Sequence, residues 1–167
     1  MEKQISSHAA VAKAIRQYMK ANGIPGRVTS NSYAGGSSVN VSVEDLAPDV
    51  SEKLKEFADQ YEMGHFNGME DIYEYSNSRD DIPQVQFVFV QNRPSEAMRQ
   101  KIWDFARSYY AGLVDSSVPA LASSVHSYRI GNLDMYADEL ISKLFYGKFQ
   151  FDAYWSSVSL EGQQKAA

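Results

Sequence analysis

Arg27-Val28-Thr29-Ser30-Asn31-Ser32-Tyr33-Ala34-Gly35-Gly36-Ser37-Ser38-Val39-Asn40-Val41-Ser42-Val43 is the stretch that decides the fold. From Val39 onward valines alternate with Asn40 and Ser42. That period of two gives a strand with one buried face. Ala34-Gly35-Gly36-Ser37 is a turn, with both glycines expected to supply positive φ in a hairpin. The run from about Arg27 to Tyr33 then pairs back as the first strand. It is polar on both faces, which suits an edge or a surface that meets a partner.

Upstream, Ser6 or Ser7 caps a first helix. Val11, Ile15, Tyr18 and Asn22 fall on one side of it, with Ala14 and Met19 beside them. Lys13, Arg16, Gln17 and Lys20 recur on another side, so the helix is amphipathic with a basic stripe. Asn22-Gly23 ends it and Pro25-Gly26 turns the chain. Downstream, Pro48 opens a helix with the apolar stripe Val50, Leu54, Phe57, Ala58 and Tyr61 and with Glu52, Glu56 and Asp59 outward. His65 to Met69 reads as a loop between two glycines, Asp71 to Tyr75 as a short strand, and Ser76 to Pro83 as a polar connection. Gln84 to Val90 is apolar on both faces, which predicts a central strand.

Pro94-Ser95 opens a third helix with Met98, Ile102, Phe105, Ala106 and Tyr109 inward, stopped by Gly112. Residues 113–131 are ambiguous, with a short helix on one side or the other of Pro119. Asn132 is expected to cap a fourth helix, its wide apolar face running from Leu133 through about Tyr146. Lys148 to Trp155 reads as extended and Ser156 to Ala167 as a frayed tail. The order α-β-β-α-β-β-α-α predicts an α+β fold: an antiparallel sheet of about four strands with helices packed on one face. Residues 1–92 form the α+β unit, 93–155 a mainly helical second layer or extension, and 156–167 the tail.

A chain of 167 residues with 44% hydrophobic and 22% charged content is ordinary for a globular protein. It has no cysteine, so disulfides, thiolate catalysis and cysteine-ligated metals are excluded. No stretch approaches the roughly 20 apolar residues of a membrane span, and Met1 to Ile5 has no apolar leader. A cytoplasmic location in the host cell, with no membrane partner, is the expectation. The net charge of −5 hides a segregation. Residues 1–43 carry five bases against one acid, residues 44–81 twelve acids against three bases, and the rest eight of each. The middle segment offers an acidic face to a basic partner, or simply a solvated surface.

No catalytic constellation emerges. His8, His65 and His126 are far apart, and a metal site needs several ligands to converge. His65 with Glu70 or Asp71 is the best local candidate for metal or hydrolytic chemistry, against the plainer reading of a loop histidine held by hydrogen bonds. Glu70 and Asp71, read as strand neighbours, point to opposite faces and make no acid–base dyad. Ala34-Gly35-Gly36-Ser37 lacks the Lys and Ser/Thr of a phosphate loop. No cofactor is called for. Eleven tyrosines are a richer signal: exposed, they anchor interfaces or stack bases, and half-buried they finish a core.

Three motifs in order carry a family resemblance. They are Ser6-Ser7-His8-Ala9-Ala10-Val11-Ala12-Lys13-Ala14-Ile15-Arg16, the Ser32-to-Ser42 hairpin, and Gly64-His65-Phe66-Asn67-Gly68-Met69-Glu70-Asp71-Ile72-Tyr73-Glu74-Tyr75. Together, over residues of about 6–90, they resemble the large polyvalent protein-associated domain numbered twenty-nine in its series. The resemblance implies a protein of phages or conjugative elements. It implies no reaction, so no catalytic residue is carried over.

A short chain of that origin without catalytic groups is expected to be a non-enzymatic binder. The leading expectation is an anti-CRISPR-like or anti-restriction-like inhibitor that docks on a host defence protein or ribonucleoprotein complex. Its acidic face would comprise Glu52, Glu56, Asp59, Glu70, Asp71, Glu74, Asp80 and Asp81. The alternative is a nucleic-acid-binding accessory protein of a conjugative element, using Lys13, Arg16, Lys20, Arg27 and Tyr33. A homodimer stays open under either.

Overall fold

The computed structural model describes residues 6–109, 127–130, 133–147 and 154–155. The chain divides into two units, Met1–Arg93 and Pro94–Ala167.

In the first unit, helix α1 runs Ser7–Ala21 with Ser6 at its N-cap. The Ser6 hydroxyl meets the His8 ring at 3.1 Å instead of a helix amide. The Ser7 hydroxyl donates to the Gln84 carbonyl at 2.5 Å. Val11, Ala12, Ile15 and Met19 are buried, as a 3.6-residue period requires, and Tyr18 stacks on Phe57 with ring centroids 3.9 Å apart. Asn22, expected on the apolar side, is an exposed C-cap whose amide donates to the Tyr18 carbonyl. Gly23 follows at φ +65°.

Strands β1 (Gly26–Tyr33) and β2 (Gly36–Glu44) pair antiparallel around the two-residue loop Ala34-Gly35. Only Gly35 of the two glycines has positive φ, at +91°. Gly36 serves close approach instead: a Cβ there would lie 2.1 Å from Gln86 Oε1. Helix α2 (Pro48–Asp59) follows and buries Leu54 and Ala58. Next comes a hairpin of β3 (His65–Asn67) and β4 (Ile72–Glu74), then β5 (Phe87–Arg93).

The sheet has the order β1-β2-β5, with β2 and β5 parallel. The fold is therefore α+β, but several expectations change. The main sheet is mixed and three-stranded, because the chain between β2 and β5 crosses over through α2 and returns in the same direction. The other strands form separate two-stranded pairs. Gln84 to Val90 does not lie centrally: β5 starts at Phe87 and sits at the sheet's border, and β2 is the middle strand. The expected loop at His65 to Met69 contains a strand, with only Gly68 to Asp71 as its turn.

One core lies beneath one face of this sheet. Val28, Val39, Val41, Val43 and Val88 meet Val11, Ala12, Ile15, Met19, Leu54 and Ala58. Both α1 and α2 thus cover the same side, with Val50, Phe57 and Val90 at the margin. Asn92, buried among them, donates to the Leu46 carbonyl and accepts from the Leu46 amide.

The second unit has α3 (Glu96–Tyr109), a hairpin of β6 (Ser127–Ile130) and β7 (Leu133–Tyr136), and α4 (Ala137–Tyr146). Ser95 Oγ accepts the Met98 amide at the start of α3. Ile102, Trp103 and Ala106 pack with Leu140, Ile141, Leu144, Phe145 and Tyr154. The fourth helix is shorter than expected, since Leu133 to Tyr136 is extended and paired. Asn132, Gly112 and residues 156–167 lie outside the described residues, as does most of the ambiguous 113–131 stretch. Tyr154 and Trp155 are helical where an extended segment was expected. Among the described residues no helix is long and apolar enough to cross a membrane.

Candidate interaction face on the sheet

The valines that fill the core leave the opposite side of the sheet uncovered by α1 and α2. Strand alternation puts Arg27, Thr29, Asn31 and Tyr33 of β1 on that open face. The register places Ser42 and Gln91 in one row with Arg27, Asn40 and Phe89 with Thr29, and Ser38 and Phe87 with Asn31. Glu44 and Arg93 form a further row at one end. The face thus has aromatic rings along β5, hydrogen-bonding side chains along its middle, and charges at one end.

The rings are ordered. Phe87 and Phe89 stack with centroids 5.9 Å apart and planes 14° apart. Phe87 takes the edge of Tyr73 at 5.3 Å, and Tyr73 takes Tyr75 at 5.0 Å. Tyr33, Phe89 and Tyr75 remain 49%, 47% and 64% exposed, an uncommon outlay of aromatic surface for a small unit. Tyr73 is fixed by donating its hydroxyl to the Gln86 carbonyl at 2.5 Å. Burial pushes its phenol up to about 12, so it stays a neutral donor at physiological pH.

At the charged end, Arg27, Ser42, Glu44, Gln91 and Arg93 line a cavity of about 420 Å³. Arg93 donates to Gln91 Oε1 at 3.1 Å. A second cavity, of about 330 Å³, lies by Lys55, Asp59, Glu62, His65 and Val88. There the Glu62 carboxylate accepts the Val88 amide at 3.3 Å, and burial raises its pKa despite that bond. His65 is pinned from both sides, with Ser76 Oγ at 3.1 Å from Nδ1 and Glu74 Oε2 at 3.4 Å from Nε2. Among the described residues no group of three or more histidines, aspartates and glutamates is placed to hold a metal ion.

The eight acids picked from the sequence occupy three elements. Glu52 and Glu56 are exposed on α2, and Asp59 at its end meets Lys55 Nζ at 2.5 Å. Glu70 and Asp71 stand in the hairpin turn, Asp71 at φ +54°, and not on a strand as expected. Glu74 accepts the Asn67 amide at 2.6 Å. In the following connection Asp80 is exposed, while Asp81 is gripped by Arg79 through Nε at 2.9 Å and through Nη2 at 2.5 Å. That grip holds the Asp81 carboxyl below the usual range and raises the guanidinium.

The five residues of the basic alternative also part company. Arg27 and Tyr33 stand on the open face, whereas Lys13 and Lys20 are exposed on a helix that covers the closed one. Arg16 donates to the Val28 carbonyl at 2.8 Å and so serves the border of β1. Sequence reasoning missed Phe87, Phe89, Gln91 and Arg93. Their signal was present, since aromatic or polar residues alternate there with Val88, Val90 and Asn92.

No curated protein and no solved structure matches the chain. The family model described as large polyvalent protein associated domain 29 matches residues 6–95, which spans the first unit together with its hairpin. By that match the chain belongs to the large polyvalent protein-associated domain 29 family, whose setting is the polyvalent proteins of phages and other mobile elements.

Proposed function

We propose that the protein is a non-catalytic binding module of a phage or mobile element, and that it takes single-stranded nucleic acid across the open face of its sheet. The observation that carries this reading is the exposure of Phe89 and Tyr33 on the same face as Arg27 and Arg93. Unpaired bases stack on aromatic side chains at about 1–3 kcal/mol each, whatever the base. Asn31, Thr29, Asn40 and Ser42 supply donors and acceptors between the rings and the charges. A duplex has its bases already stacked and would leave the rings unused. Part of the net charge of −5 lies away from this face, since the exposed acids of α2 sit on the helix covering the other side of the sheet.

The test is fluorescence anisotropy with a labelled twelve-residue oligo(dT) and its oligo(U) counterpart. Phe89→Ala is expected to weaken binding about tenfold, from the loss of one stacked base. Absence of binding by the wild type, or binding untouched by Phe89→Ala and Tyr33→Ala, refutes the reading.

A second reading is favoured by Glu52, Glu56, Glu70, Asp71 and Asp80, exposed acids without an ion-pair partner among the described residues. In it the protein docks on a basic host defence complex and blocks it, in the manner of an anti-CRISPR or anti-restriction inhibitor. Reversing Glu52, Glu56 and Asp80 to lysine should then slow association at low salt. Capture of a host complex whose association rate ignores those reversals removes it.

A further inference from the structure

The cavity at the charged end of the open face has a composition that the stacking surface alone does not explain. Arg27 is exposed and has no hydrogen-bond or ion-pair partner among the described residues. Arg93 lies two strands away and spends one donor on Gln91. Neighbouring strands are about 4.8 Å apart and successive same-face residues about 6.7 Å apart, and Arg27 and Arg93 line one cavity with Ser42, which lies between their strands. Ser42 and Gln91 add a hydroxyl and an amide, and Glu44 lines the same wall.

We infer that this cavity binds one phosphodiester group, and that it thereby sets the position of a single strand whose bases lie toward Phe89 and Phe87. The last clause rests on the nucleic-acid reading, but the anion site does not. The charge balance favours a singly charged anion, and the stacking face beside it favours a phosphodiester. Two guanidinium groups and one carboxylate leave a single positive charge, which matches the single negative charge of a phosphodiester. A terminal phosphate dianion would bring more charge than the site offsets, and would do so close to Glu44. The planar arginine forks suit phosphate oxygens better than a lysine would. The Ser42 hydroxyl and Gln91 amide serve as supplementary donors.

Dimethyl phosphate, a phosphodiester without bases, tests the site directly. In a titration followed by NMR, the Arg27 and Arg93 Nε–Hε signals should shift together and saturate. Arg27→Gln should abolish the shift at Arg93, since the two act on one group. No shift, or an Arg93 shift indifferent to Arg27→Gln, overturns the proposal. With the oligo(dT) probe, Arg27→Gln with Arg93→Gln should lower the salt slope of log K by about 0.7, the value for one phosphate on a single strand. Phe89→Ala should weaken binding and leave that slope alone. An unchanged slope in the arginine double variant of a chain that does bind the oligonucleotide overturns the phosphodiester site and leaves the face reading intact. Saturable dimethyl phosphate binding by a chain that ignores the oligonucleotide does the reverse.

Discussion

Gly64→Ala tests how closely the chain entering β3 packs on β4, the strand that carries Tyr73. A Cβ at Gly64 would lie 1.8 Å from the Glu74 carbonyl oxygen, 2.7 Å from its carbon and 2.9 Å from Tyr75 Cα. All three atoms are backbone, so no side chain can swing aside and β4 itself must move. Overpacking of this kind costs about 1–3 kcal/mol. Moving β4 also draws Tyr73 off the Gln86 carbonyl and off the Phe87 ring, which adds about 1 kcal/mol for the hydrogen bond. The expected total is about 3 kcal/mol. Both tryptophans, Trp103 and Trp155, belong to the other unit, so neither reports on the first unit directly. Amide hydrogen exchange at Val39 and Val41 does, and their protection should fall about 100-fold if the whole first unit is destabilised by that amount. Gly68→Ala is the control: it sits in the turn of the same hairpin, with no atom within 4 Å of a Cβ and no positive φ. It should be neutral or slightly stabilising. Equal protection in the two variants would refute the close approach of Gly64 to β4.

Three further outcomes follow from the same contacts. Glu62→Gln keeps an acceptor for the Val88 amide but removes a charge that burial disfavours. Because the folded pKa is raised, the stability linked to protonated Glu62 is present at low pH and lost as pH rises through the folded value. The variant should therefore exceed wild type at pH 7, with the gap closing below about pH 4 in denaturant melts; a gap independent of pH counts against it. Asn92→Ala leaves the Leu46 amide and carbonyl without their side-chain partner. It should cost about 2 kcal/mol, read as roughly 30-fold lower amide protection in β2; wild-type protection would rule out that role. Arg79→Ala should return the Asp81 carboxyl to the ordinary range in an NMR titration while leaving the melting temperature unchanged, because both side chains are solvent-exposed; an Asp81 midpoint that stays low contradicts the guanidinium as its cause.

Local pattern made much of the first unit readable. The valine alternation of β2, the Gly35 turn and the stripes of α1 and α2 each depend on neighbours close in sequence. Strand order does not. Phe87-Val88-Phe89-Val90 is apolar on both sides, which fits a central strand. It borders the sheet instead, and only its valine side faces the core while its aromatic side faces the open side of the sheet. Hydrophobicity alone merges those two sides; side-chain type separates them. Leu133 to Tyr136 failed for a related reason, since four residues fit a helical stripe and a paired strand equally well until Ser127–Ile130 is seen beside them. The candidate site was half legible: Arg27 and Tyr33 were picked out, but their union with Phe89 and Arg93 depends on the parallel pairing of β2 with β5.

The same region bears on whether the proposed ligand would meet a face or a strand border. An unpaired border invites a partner strand. On β5, however, the Val88 amide donates to the Glu62 carboxylate, and just before the strand the Gln86 carbonyl accepts the Tyr73 hydroxyl and Val85 bonds with the segment at Tyr61 and Met63. On β1 the Val28 carbonyl takes Arg16. Several backbone groups at or beside the sheet's borders already have intrachain partners, and the β3–β4 hairpin supplies Tyr73 and the close Gly64 contact. Side chains on the open face have no comparable cover from α1 and α2. A ligand that reads rings, amides and guanidinium groups therefore fits this unit better than one that extends its sheet, and a single strand of nucleic acid carries the bases and phosphates that those groups match.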